Sequence, residues 1–144
     1  RLVLAEPAAT RIGRAFYRAF HHEPCDPETL RAPWVFGAEA KSGEFANMGM
    51  AWALFVRDRA NVAAPLAEYG LAIAEVSFRD GLAYPATGGL SKPALLPAPA
   101  IRGLLRIEQR LPQRFWRFWG LRMIVVLEKT GTANVMSNQR PAVE

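Results

Sequence analysis

The chain has 144 residues, 51% of them hydrophobic and 22% charged. That is long enough for one domain with a real core and too apolar for global disorder, and no run approaches the ~20 uncharged apolar residues of a membrane-spanning helix. Net charge is +5, nearly all of it arginine, and the single cysteine, Cys25, excludes an internal disulfide, so a reducing cytoplasm is the expected location.

The opening stretch RLVLAEP, residues 1–7, reads as a strand. Leu2, Val3 and Leu4 form an apolar run without alternation, as in a strand covered on both faces, and Glu6-Pro7 stops it. Thr10 suits an N-cap, and Ile12, Ala15, Phe16, Ala19 and Phe20 follow at helical spacing, which predicts an amphipathic helix over 10–20. Residues 21–46, with Pro24, Pro27, Pro33, Gly37 and Gly43, read as a long irregular connection. Asn47 is the expected N-cap of a buried helix from Met48 to Val56, and a second short helix is expected to run to Ala64.

Leu71, Ile73, Val76 and Phe78 read as a strand whose alternation slips by one residue near Glu75, the signature of a bulge or an edge. The glycines and prolines of 81–97 predict a second long loop. A helix is expected from about Pro99, with Ile101, Leu104, Leu105 and Leu111 on one face and Arg102, Arg106, Arg110 and Arg114 in a row on another. Pro112 should break it before RFWRFWG. LRMIVVLEK, residues 121–129, is the strongest strand signal, and the stretch from Thr130 onward reads as a flexible tail, 130–144.

Three expected strands, two long insertions and the order of these elements bring a family into view. The chain resembles the C-terminal half of a class I S-adenosylmethionine-dependent methyltransferase. RLVLAEP is similar to the fifth strand of that sheet, and YRAFHHEP (17–24), AYPATGGLSKPALLP (83–97) and LRMIVVLEK (121–129) are similar to members with enlarged insertions. The resemblance implies an α/β fold, a partial Rossmann-like methyltransferase sheet made of its last three strands over residues 1–129. The final strand would be antiparallel and slot between the other two.

It also implies methyl transfer from S-adenosylmethionine to a small, apolar acceptor. This part would supply acceptor pocket and lid through 17–26, 45–56 and 81–97. The family's glycine-rich turn after its first strand has no counterpart here: Gly88-Gly89 lies in a proline-rich loop, and Gly131 follows the last strand. The expectation is therefore a fragment, with the cofactor bound mainly by an N-terminal half outside this chain, and no activity alone. The alternative is a non-enzymatic α/β accessory module that binds a partner through its exposed first strand and its basic helix.

Among candidate site residues, His21, His22 and Glu23 follow the first predicted helix. A histidine titrates near neutrality and suits a general base, with Glu23 orienting it; packing against the helix end explains the same residues. Tyr17, Asn47, Met50 and Tyr84 are the candidate acceptor-lining residues, against a plain core or loop-anchor role. No metal site is expected, because adjacent ligands point apart and the separations of a zinc site are missing. Between residues 98 and 122 six arginines are opposed only by Glu108. With Phe115, Trp116, Phe118 and Trp119 beside them, 99–119 could contact a membrane surface or lipid as easily as form an ordinary solvated helix, and nucleic acid fits less well.

Overall fold

A computed structural model describes residues 1–29, 47–88 and 92–130. The expected loop residues 30–46 and 89–91 and the expected tail from 131 on lie outside the described residues.

The fold is α/β around a three-stranded sheet in the order β1-β3-β2, with β1 over Leu2–Pro7, β2 over Leu71–Arg79 and β3 over Arg122–Lys129. β3 is antiparallel to both neighbours, so β1 and β2 run parallel to each other on either side of it. Strand order and direction are those the resemblance implies for these three strands. The slip near Glu75 is a bulge: Ile73 pairs Leu127 and Glu75 pairs Val126, which leaves Ala74 without a partner on β3. Its consequence is geometric. Ile73 and Val76 are an odd number of residues apart, yet the bulge lets both face the core, since the side-chain period of two is broken once between them.

One face of the sheet holds the core. Met123, Val125 and Leu127 are 0%, 0% and 3% exposed, and Leu4, Val76 and Phe78 pack beside them. Above them sit Ala51, Phe55, Val62 and Trp116 from the helices. The other face carries Ile124 and Val126, half-buried, with Ala5 exposed and Val3 60% exposed.

Helix α1, Arg11–Phe20, starts where the sequence places it: the Thr10 hydroxyl accepts from the Gly13 amide at 2.9 Å and donates to the Gly120 carbonyl at 2.8 Å. The apolar run after Asn47 departs from expectation. Only Met50–Trp52 (α2) is α-helical, and Ala53–Arg57 continues it as a π-helical turn closed by the Asp58 amide on the Ala53 carbonyl at 2.8 Å. A run apolar on every side has no stripe that fixes its pitch, and the wider turn sends Ala53 and Phe55 into the core together. Helix α3, Arg59–Glu68, passes through Pro65 instead of stopping at Ala64. Asn61 and Pro65 are both exposed, so water can serve the carbonyl that the proline leaves unbonded.

The loop at 81–97 contains an unexpected turn of helix, α4, Ala83–Ala86. Helix α5, Ala98–Glu108, begins near the predicted position, but Leu105 is 42% exposed and does not share a buried face with Leu104. Pro112 ends that segment and starts α6, Gln113–Trp119, whose Trp116 is buried. Among the described residues no helix is long and apolar enough to cross a membrane.

Candidate functional site

The last rung of the sheet sets Pro7 of β1 and Arg79 of β2 on either side of Arg122 of β3. The carboxyl ends of the two parallel strands therefore lie side by side, flanking the amino end of β3. Four segments meet there. From α1 comes Tyr17, 4% exposed, its hydroxyl donating to the Leu121 carbonyl at 2.5 Å. After β2 comes Asp80, held at φ 61°, a left-handed conformation that aspartate tolerates better than most side chains. From α4 comes Tyr84, whose ring lies under the Arg122 guanidinium at 4.4 Å. Arg122 Nε also faces Asp80 Oδ2 at 4.0 Å, with both side chains 36% exposed.

These neighbours act on one another electrically. Burial pushes the Tyr17 phenol well above its ordinary range, Tyr84, Cys25 and Asp80 add to the effect, and Arg122 opposes it. Tyr17 is thus a neutral donor at any physiological pH, spent on the Leu121 carbonyl. Burial also pushes the Cys25 thiol up to about 11, with Asp26 adding and Arg14 opposing. A thiol held protonated is no nucleophile near neutrality. What stays open to a ligand is the Arg122–Tyr84–Asp80 group: a half-exposed cation stacked on a ring and flanked by a carboxylate. It can orient a polar or planar aromatic group, while offering no histidine for proton transfer.

The histidines follow α1, and the His21 ring meets Tyr17 edge-on, with ring centroids 6.4 Å apart. Their rings stack on each other at 4.8 Å, His21 Nδ1 accepts from the Glu23 amide at 3.2 Å, and His22 Nε2 is 3.8 Å from Glu23 Oε1 with its side chain 86% exposed. Among the described residues neither ring is hydrogen-bonded to the strand-end group. Asn47 is a clasp. Its Oδ1 accepts from the amides of Gly49 at 2.8 Å and Asp26 at 3.1 Å, and its Nδ2 donates to the Asp26 carbonyl at 2.8 Å, tying 26–29 to the start of α2. Met50 is half-buried in α2. The structure so brings Tyr17 and Tyr84 to the strand-end group, sets the His21 ring edge-on against Tyr17 with His22 stacked outside it, and leaves Asn47 and Met50 apart from them.

Three residues that build this strand-end group escape sequence reasoning. Arg122 reads as one more arginine of a basic run. Asp80 carries a faint signal, an Asp-Gly pair directly after a strand. Glu108, which reads as a lone counter-charge, is buried, and its Oε1 accepts from the amides of Leu82 at 2.6 Å and Ala83 at 2.9 Å. It thereby fixes the start of α4 and the position of Tyr84. A separate open hollow of about 370 Å³ lies over β2 on the core face, lined by Trp52, Phe55, Val56, Val76 and Phe78 with Arg59 and Arg117. Among the described residues no group of histidine, cysteine and carboxylate side chains is placed to hold a metal.

Comparison with protein-family models, with curated proteins and with solved structures gave no match to this chain.

Proposed function

We propose that this chain is the acceptor-side portion of a Rossmann-like, S-adenosylmethionine-dependent methyltransferase domain that methylates a small, apolar acceptor. The observation that carries the reading is the strand order β1-β3-β2, with an antiparallel last strand inserted between two mutually parallel ones. In open α/β sheets ligands lie outside the carboxyl ends of the parallel strands, and there Tyr84, Arg122 and Asp80 gather.

S-adenosylmethionine itself does not fit the residues present. A cofactor turn needs glycine backbone close to a strand end and open amides at the following helix. Here β1 runs through Pro7, Ala8 and Ala9 into a first turn of α1 already closed by Thr10. In the proposed enzyme the cofactor is held by another part of the sheet. Among the described residues β1 pairs on one edge only, and Leu2 and Val3 on it are 48% and 60% exposed, which suits a sheet that continues past β1. The same free edge favours one other reading, a non-enzymatic module that takes up a partner's strand there.

An amide-resolved NMR titration of the chain tests this. With S-adenosylmethionine no saturable shift is expected. With small phenols and aromatic acids, shifts are expected at 80–86 and 120–123, and Arg122→Ala should abolish them. Saturable cofactor binding would overturn the acceptor-side assignment. A chain that ignores every acceptor but takes up a strand peptide along β1 would replace it with the accessory module.

A further inference from the structure

The segment from Lys92 through α5 is built unlike the rest of the molecule. Leu95 is 72% exposed, Leu96 41%, Leu105 42% and Ile107 51%. Of the residues of α5 only Glu108 is buried, and it is the polar anchor to α4. A second tether joins the segment to the same short helix: the amides of Leu95 and Leu96 both donate to the Ala86 carbonyl, at 2.9 and 3.3 Å. So α5 is held at a fixed place while Leu105 and Ile107 face water and Ile101 and Leu104 are half-buried.

Its charges follow a matching pattern. Arg102 and Arg106 are exposed one turn apart on the helix, and Arg110, four residues on, is exposed in the turn that follows it. None of their guanidinium groups has a hydrogen bond or ion pair with another described residue. At roughly 100° per residue, Leu105 projects on one side of that row and Ile107 on the other. A guanidinium row between aliphatic margins, preceded by two exposed leucines, matches a surface that is anionic outside and apolar just beneath.

We propose that α5 and the Leu95–Leu96 turn dock this chain onto an anionic lipid bilayer, with the helix lying in the interface plane. Arginine pairs with lipid phosphates through its planar fork, and Leu95 and Leu96, in the turn that leads into the helix, enter the headgroup–acyl boundary. Charge complementarity selects the occupant. A single-stranded nucleic acid would satisfy the arginines, but it is gripped by stacking on aromatic rings, and the exposed side chains that flank this row are aliphatic. The docking stands on its own observations and does not depend on methyl transfer.

The test is cosedimentation of the 144-residue chain with phosphatidylcholine vesicles, with and without phosphatidylglycerol. Binding is expected on the anionic vesicles only, falling as salt is raised. The triple change Arg102→Gln, Arg106→Gln, Arg110→Gln should weaken it by about a hundredfold, since each basic residue near such a surface contributes roughly fivefold. The double change Leu95→Ser, Leu96→Ser should weaken it by about tenfold. Arg11→Gln with Arg18→Gln, which removes two exposed charges from α1, should leave binding within about twofold. All these positions are exposed, so circular dichroism should register no loss of fold. No binding to anionic vesicles at low salt overturns the proposal. So does binding that is indifferent to the leucines and displaced by an oligonucleotide, which would identify a polyanion site instead.

Discussion

β3 and α5 announce themselves equally well as apolar patterns, yet they end in opposite surroundings. In β3 every second residue from Met123 to Leu127 is at most 3% exposed, whereas α5 buries one glutamate and leaves Leu105 and Ile107 about half in water. The pattern tells which face could be covered; coverage itself depends on what the chain places opposite. β3 has a strand on each edge and helices over one face. α5 has α4 and little else. One part is held by apolar burial, the other by a carboxylate and two amides.

The same substitution in the two regions should break the symmetry most clearly. Leu127→Ala, at a site 3% exposed, is expected to cost about 2–5 kcal/mol in urea denaturation. Leu105→Ala in α5 should stay within about 0.5 kcal/mol, as a surface change to a good helix former. Leu2, directly across the rung from Leu127 but 48% exposed, should fall between them at about 1 kcal/mol. Equal losses at Leu127 and Leu105 would mean that α5 is covered in solution.

If α5 is tethered by polar contacts, its weak point is Glu108. Glu108→Ala strands the amides of Leu82 and Ala83 and should cost about 2–3 kcal/mol, with amide exchange rising across 82–86 and 98–108 and not in β3. Glu108→Gln keeps a carbonyl acceptor and should recover roughly half of that. An exchange increase spread evenly over the sheet would show that α5 and the core unfold as one unit.

Cys25 offers a milder probe, because its burial holds the thiol near 11 against an ordinary 9.0. At pH 8 the folded chain should react with iodoacetamide about a hundredfold more slowly than the urea-unfolded chain, as the thiolate fractions differ by that factor. The linkage has a definite sign. Above pH 9 the unfolded thiol loses its proton first, so the folded state binds more protons and stability falls as pH rises from about 9 to about 11. The raised Tyr17 phenol acts in the same direction. Stability that rises over this window would contradict both assignments.

How far these properties could be read in advance follows from their range along the chain. Thr10 as cap, Pro112 as break and the slip at Glu75 depend on neighbours a few residues away, and all were legible. The π-helical turn was not, since nothing local distinguishes it from an α-helix in a wholly apolar run. The strand-end group was legible only in part. Tyr84 drew attention as an aromatic residue in a long loop, but its partner Arg122 lies 38 residues on, and only the last rung of the sheet brings the two together. Glu108 was hidden for the same reason. Its amide partners are 26 and 25 residues earlier, in a loop where no helix was expected.

A small effect of opposite sign concerns the second face of the sheet. Ser77 on β2 pairs with Ile124 and is 5% exposed, and its hydroxyl has no hydrogen-bond partner among the described residues. An unmet buried hydroxyl costs free energy that alanine does not, so Ser77→Ala should raise stability by about 1 kcal/mol, read as a higher urea midpoint at unchanged slope. The contrast with β3 then closes on itself: in the core, removing side-chain atoms opens a hole, while here the atom removed was already a burden. A loss on Ser77→Ala would mean instead that the hydroxyl is satisfied in solution, by water entering over Ala5 and Ile124, and that this face is wetter than its burial implies.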